Sequence, residues 1–447
     1  MKKILGMIAA AMLVLPIGTE AATSWLREEI LERNPLREGA NFNVAANNTN
    51  RAAQEGLFSI PDEFGTAHFF RGTHELNNNV IFAGHQWKIL RIEGNGNIRL
   101  IYNGECPNND CDINGNDVGL RATIGRTSFN DGFGCHGYFG YDSWLEDCEW
   151  TGGGPDTRFV GYMHGTICDT YENCHKNTHD STIKTFVDNW FNTSITGQDR
   201  TKVIGNTPFC ADRSFPTRDI PGFWSMEDIS NLGGPIGTRL VSTVYGAGSR
   251  LGVVNDVQPT LICPRVEDRL TMPVGLITAD ELALAGFRRN IINTDMFLAN
   301  GIRAEYEDGL WYLGSFGHYW TMSPSAQHPT GGAQVFLFNT SEIHGESRHV
   351  SQELGVRPVL SLNGDVTVTG DGSSENPFIV LGMEERPEEE NNTNNDNEVG
   401  TETPPTNNPQ TSVSGVLAYG MFAVGSVSGI AALHRNKNKK NKKQNLF

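Results

Sequence analysis

Phe133, Tyr138, Phe139, Tyr141, Trp144 and Trp150 fall in one glycine-rich stretch with Asp142, Glu146, Asp147 and Glu149. Aromatic faces beside carboxylates suit a sugar, whose ring stacks on a π-face while polar groups take its hydroxyls. Tyr138, Tyr141, Trp144, Trp150 and Asp142 are therefore the candidate ligand contacts. The same rings can instead form the private core of a disulfide-tied loop, and both readings stand at this level. Reading the acids as a glycosidase pair requires two carboxyl groups at a defined separation, which spacing along the chain does not specify.

A second constellation is Asp110-Cys-Asp112-Ile-Asn114-Gly115. Alternating oxygen ligands followed by glycine match the first half of a calcium loop. The twelfth position, where a bidentate glutamate belongs, holds Arg121. Asp110, Asp112 and Asn114 are thus candidate calcium ligands, against the alternative of a metal-free hydrophilic turn. Cys168, Cys174, His175 and His179 have spacings compatible with zinc, but an oxidising compartment favours a Cys168–Cys174 disulfide. Ser323, beside Trp320 and followed by Pro324, lacks a nearby histidine base, so Trp320, Ser323, Arg357 and Pro358 read as structural.

The termini place these groups outside the cell. Lys2 and Lys3 precede an apolar stretch, Ile4 to Ile17, and the small residues Thr19 and Ala21, which reads as a signal peptide over residues 1–21. At the other end Asn408-Pro409-Gln410-Thr411 precedes an uncharged, mostly apolar run over 413–433 and a basic tail from Arg435 to Lys443. A helix of that length rises ~30 Å, enough to span a bilayer core, and the basic tail stays cytoplasmic. This order of motif, helix and tail resembles the sorting signal of sortase substrates in Gram-positive bacteria. The resemblance implies cleavage after Thr411 and attachment to peptidoglycan, with the helix serving as a membrane anchor beforehand. The alternative is a plain single-pass anchor.

The 8 cysteines lie between Cys106 and Cys263, and in an exported chain they read as a disulfide framework. Pairing in chain order is expected: Cys106–Cys111, Cys135–Cys148, Cys168–Cys174 and Cys210–Cys263. The last closes the longest loop and contributes ~3–4 kcal/mol. A formal charge of −17, with 35 Lys+Arg against 52 Asp+Glu, argues against a nucleic-acid partner, which needs a positive footprint.

The elements that position these groups are partly legible. His85–Ile92 and Asn97–Tyr102 flank Glu93-Gly-Asn-Gly96 and predict a β-hairpin. Ser181–Phe191 places Ile183, Phe186, Val187, Trp190 and Phe191 on one helical face, with Asp180 or Ser181 as N-cap. Thr278-Ala-Asp-Glu281 predicts a capping box and a short helix ended by Gly286. A short polar helix is expected around Leu26–Arg33, and strands at 319–322, 333–338 and 356–362. Two main helices and about seven strands, helices early and strands late, give the class α+β. The expected organisation is a lead-in over 22–55, an extracellular domain over 56–382, a disordered acidic Asn/Thr/Pro stalk over 383–410 and the sorting signal over 408–447.

Several blocks carry a family likeness: Trp87–Ile92 with Ile98–Tyr102, Val160-Gly-Tyr-Met163, Ser181–Lys184, Phe209–Arg213, Gly275–Glu281, Tyr319–Ser325 and Gly355–Leu360. Their order resembles a family of secreted, sortase-anchored Gram-positive surface proteins. The closing Tyr-Trp, Ser-Pro and Gly-Val-Arg-Pro pattern is similar to the C-type-lectin-like fold, which formylglycine-generating enzymes share. That resemblance implies a twisted sheet with two helices and long binding loops. The catalytic cysteine pair of those enzymes has no counterpart here, because no cysteine follows Cys263. The family is functionally uncharacterised, and the fold does not decide function. The export signals and the aromatic/acidic stretch together give the expectation of an extracellular binding or adhesion protein for a glycan or a surface protein, without catalytic residues and without a cofactor unless calcium binds. A surface hydrolase acting on glycan or peptidoglycan, and a structural pilus or surface-layer subunit, remain the alternatives.

Overall fold

His85–Ile92 and Ile98–Glu105 form the expected antiparallel hairpin, with Lys88 opposite Ile101 and Ile92 opposite Ile98. Gly96 takes φ +88° in its turn, a left-handed position that glycine adopts without a Cβ penalty. Almost every residue of both strands is buried. Strands covered on both faces lose the in/out alternation, so their charged residues are carried into the interior.

The computed structural model of the chain describes residues 24–46, 50–106, 111, 122–131, 157–166, 170–216, 243–253, 255–288, 311–313, 318–328, 332–338 and 347–384. All of them belong to one compact unit ending at Pro387. The class is α+β, mostly sheet with few helices. A curled eleven-stranded sheet runs from Ser24–Trp25 through Val366–Thr369, Phe378–Met383 and Asn79–Phe82 to His85–Ile92. It continues through Gly65–Arg71 and Gly56–Asp62 to Leu36–Arg37. His85–Ile92 holds two short partners along one edge and Ile98–Glu105 along the other. From Ile98–Glu105 a branch leads through Pro358–Leu362 to Val274–Leu276. A second, six-stranded sheet is built on Tyr319–His328, Gly332–Phe338 and Arg126–Ser128.

The lead-in ahead of Gly56 is part of this body. Ser24 pairs with Val368, Leu36 pairs with Leu57, and Leu26 and Ile30 of the helix Leu26–Arg33 are fully buried. Strands also come earlier than the sequence suggests. The hairpin Gly56–Asp62/Gly65–Arg71 precedes the long helix, and adjacent residues Leu57 with Phe58, and Phe69 with Phe70, are buried together. With both faces covered, the period-two signal is absent and the hairpin is not readable from pattern.

The helix Thr182–Ser194 follows the expected face, with Ile183, Val187 and Phe191 buried and Phe186 and Trp190 packed at the core's edge. Ser181 is its N-cap, accepting the Lys184 N–H at 3.2 Å. The helix packs against Val274–Leu276 and Arg126–Ser128, and Trp190 meets Trp87 and Tyr102 at centroid distances of 6.2 and 5.4 Å. The helix Ala279–Leu284 opens with the expected capping box between Thr278 and Glu281. Cys106–Cys111 and Cys210–Cys263 are bonded as expected, the latter with Cα atoms 5.4 Å apart. Among the described residues no helix is long and apolar enough to cross a membrane.

Candidate functional site

Among the described residues, two concave regions are rich in polar side chains, and their open volumes separate them. One is a narrow cleft between the hairpin turn, Cys210–Asp212, Thr260–Pro264 and Thr278–Glu281, with about 40 Å3 of open space. That holds roughly three waters. Its floor is an ionic network. Glu281 contacts Arg91 and lies 3.3 Å from Arg99 Nε, while Glu93 accepts from Ser361 Oγ at 3.0 Å and from Arg99 at 3.5 Å. Phe209 covers the Arg99 guanidinium at 3.9 Å. Burial would raise the Glu281 carboxyl, but Arg91 and Arg99 outweigh it and hold its pKa below the usual glutamate value. These charges are occupied by one another, so the cleft belongs to the scaffold.

The other is an open groove of about 570 Å3, within the range of small-ligand sites. Three segments converge on it: Thr127–Asp131, Phe159–His164, and Asp180–Asn189 at the start of the long helix. Asn130 is the most exacting residue there. It is 3% exposed and its backbone N–H donates to Val350 O at 3.0 Å. Its Nδ2 has no hydrogen-bond partner among the described residues. A buried amide donor without a partner costs ~1–3 kcal/mol. Asp131 is tied to the helix start, its N–H donating to Thr182 Oγ1 at 3.0 Å while Thr182 Oγ1–H donates to its carboxylate.

His164 Nδ1 lies 2.8 Å from Gly165 O, and a carbonyl can only accept, so Nδ1 carries the proton. The neutral ring then offers Nε2 as an acceptor. Burial lowers its pKa below the usual histidine value, with the Gly165 bond opposing and His179, Arg158 and Arg213 adding to the fall. The ring packs against Phe159 at 5.3 Å and is cross-strand from His179 at 5.7 Å. Phe159 and Phe186 supply apolar surface between these polar groups. Hydroxyls, acids, an imidazole acceptor and phenyl faces match a polyhydroxylated ligand.

Tyr138, Tyr141, Asp142, Trp144 and Trp150 lie outside the described residues, as do Asp110, Asp112, Asn114 and the motif Asn408-Pro409-Gln410-Thr411. Asp131 and Phe159, which flank the aromatic residues in sequence, both line the groove. The expected Cys135–Cys148 bond lies outside the described residues. Cys174 is disulfide-bonded, and the expected partner Cys168 also lies outside. The zinc alternative loses Cys174 to that bond. It loses His175 too, which is buried with Nε2 3.3 Å from Tyr245 Oη. Ser323 is structural as expected: its Oγ accepts the Ala279 N–H at 2.9 Å. Trp320 Nε1 donates to Thr127 O, and Arg357 donates to Tyr102 O, Leu313 O and Asn103 Oδ1.

Sequence reasoning missed Asn130 and His164. Neither sits in a motif, and an isolated asparagine in a polar segment carries no signal until its burial is known. Fold and groove together define a sheet-rich α+β body with an open polar recess among the described residues. No family model, curated protein or solved structure matches the chain.

Proposed function

We propose that this protein is an exported, wall-anchored receptor with a C-type-lectin-like domain that binds a neutral or weakly basic glycan. The observation that carries the reading is the open groove of about 570 Å3, where Asn130, Asp131, His164, Asp180 and Thr182 converge with Phe159 and Phe186. Asp131 and Asp180 at the rim disfavour acidic sugars, and the chain's charge of −17 acts in the same direction. Tyr138, Tyr141, Trp144 and Trp150 would supply stacking faces, because Asp131 and Phe159, which flank them in sequence, both line the groove. Calcium at Asp110, Asp112 and Asn114 would order the neighbouring turn closed by Cys106–Cys111. The Asn-Pro-Gln-Thr motif, apolar run and basic tail support covalent display on peptidoglycan after sortase cleavage.

A glycan array probed with the purified protein tests the reading, with neutral, amino and acidic sugars compared and calcium added or chelated. Retention of neutral or amino sugars is expected. Asn130→Ala should weaken it by ~0.5–1.5 kcal/mol, about two- to tenfold in Kd. Release of shortened products would point to a hydrolase. Ordered self-assembly without glycan capture would point to a pilus or surface-layer subunit.

A further inference from the structure

Strand Asn79–Phe82 lies antiparallel to His85–Ile92, in a register that sets Asn79 opposite Lys88. Side chains directly opposite leave the sheet on the same face, with Cβ atoms ~4.5–5.5 Å apart. Both residues are 2% exposed, and Lys88 Nζ is in hydrogen-bond contact with Asn79 Oδ1. That is the lysine's one hydrogen bond among the described residues, and no carboxylate there pairs with it. Arg91, Arg99 and Arg213, also buried, each face a carboxylate. Buried Arg71 and Arg357 each spread their charge over several carbonyl and amide oxygens, where Lys88 has one. An ammonium at Lys88 would be a buried charge with no counter-ion, an arrangement that folded cores avoid.

The amine escapes that penalty by giving up its proton. Burial lowers the Lys88 pKa to about 7, and the positive charge of Arg357 adds to the fall. A neutral amine has a nucleophilic lone pair, and desolvation is a recognised way of activating lysine. The carboxamide it faces is fixed, because Asn79 Nδ2 donates to Gly372 O at 2.8 Å and to Leu76 O at 3.4 Å. A nucleophile and an acyl group held in contact react as one unit, which removes most of the entropic barrier.

We propose that Lys88 and Asn79 are joined by an intramolecular isopeptide bond that staples the two strands. The Nζ lone pair adds to Asn79 Cγ, and the positive charge of Arg357, which acts on Lys88, also favours the charge that develops on the contacting Oδ1. The Cγ–Nδ2 bond then breaks. A proton from the attacking nitrogen passes to the departing one, which leaves as ammonia. No electron is lost or gained and no co-reactant is required. The product replaces a buried amine with a neutral amide.

Peptide mapping of the full-length wild-type protein, reduced and alkylated, tests this. Trypsin does not cut at an acylated lysine, so the expected peptide runs from Gly72 to Arg91 and weighs one ammonia less than its composition. Chymotrypsin cuts between Asn79 and Lys88, after Phe82 or Trp87, and the two pieces should remain joined. Recovery of an unmodified Gly72–Lys88 peptide would overturn the proposal. So would an ammonia deficit on a piece that separates after chymotrypsin, because that marks an Asn79 succinimide. Lys88→Arg should restore the full mass, and a deficit that persists would place the modification elsewhere. The wild-type map decides even where that variant does not fold.

Discussion

Replacing Glu281 by glutamine isolates the charge that holds the buried ionic network together. The substitution keeps the shape, and the amide oxygen can still accept the Thr278 N–H that Glu281 Oε2 accepts at 2.7 Å, so the helix cap is retained. What is lost is the carboxylate that lies nearest to both Arg91 and Arg99 among the described residues. Glu93 remains, at 3.6 and 3.5 Å from the two guanidinium groups. Two buried cations would then share one anion, with no solvent to compensate: Arg99 is 1% exposed and Glu281 4%. Breaking a buried pair from one side costs ~3–5 kcal/mol, a large part of a domain's total stability. Urea denaturation at pH 7 should therefore give a midpoint far below wild type with an unchanged slope. The pH dependence provides an independent check. Glu281 has a depressed folded pKa, so its contribution is present above the unfolded value of ~4.3 and is lost as pH falls through the folded value. The wild type should lose that increment in acid and Glu281→Gln should lack it. A change under ~1 kcal/mol at pH 7, with the acid limb intact, would refute the assignment of Glu281 as the network's counter-ion.

Cys210→Ser opens the loop between residues 53 apart in sequence, which on the chain-entropy relation is worth about 4 kcal/mol, and it should leave Cys263 alkylatable; a loss below ~1 kcal/mol would show that the link constrains little. His175 is held well below the usual histidine pKa by burial, with Arg213 and Arg265 adding, so stability should fall as pH drops below ~6.5, where only the unfolded chain takes the proton. His175→Gln should flatten that limb in a thermal melt series, and an unchanged limb would assign it to other groups. Trp144→Ala should weaken glycan capture by ~1–3 kcal/mol with little change in Tm if the ring stacks on ligand; a Tm collapse would return the segment to scaffold. Muralytic enzyme but not hot detergent should release the protein from cells, and Ala-Ala at Asn408-Pro409 should leave it in the membrane fraction. Full detergent extraction of the wild type would make it a simple transmembrane protein.

The sequence by itself determined the elements whose causes lie within a few residues. The helix Thr182–Ser194, its Ser181 cap, the Thr278–Glu281 capping box and the hairpin turn at Glu93–Gly96 were all legible. Helical periodicity, cap chemistry and turn residues act locally and leave a local record. The Cys210–Cys263 bond was legible from chain order and cysteine parity. Tertiary structure decided the rest. Glu281 reads as a cap residue, and only folding brings it to Arg91, 190 positions away, as a counter-ion. Lys88 lies in the hairpin strand His85–Ile92, and its burial follows only from the covering of both faces of that strand. Asn130 and His164 acquire meaning only where Thr127–Asp131, Phe159–His164 and the long helix converge. The reason is physical: burial is a property of what packs over a residue, and the packing partners come from remote parts of the chain. A residue's own type and spacing cannot report whether its polar atoms will meet water, an ion partner or an empty groove.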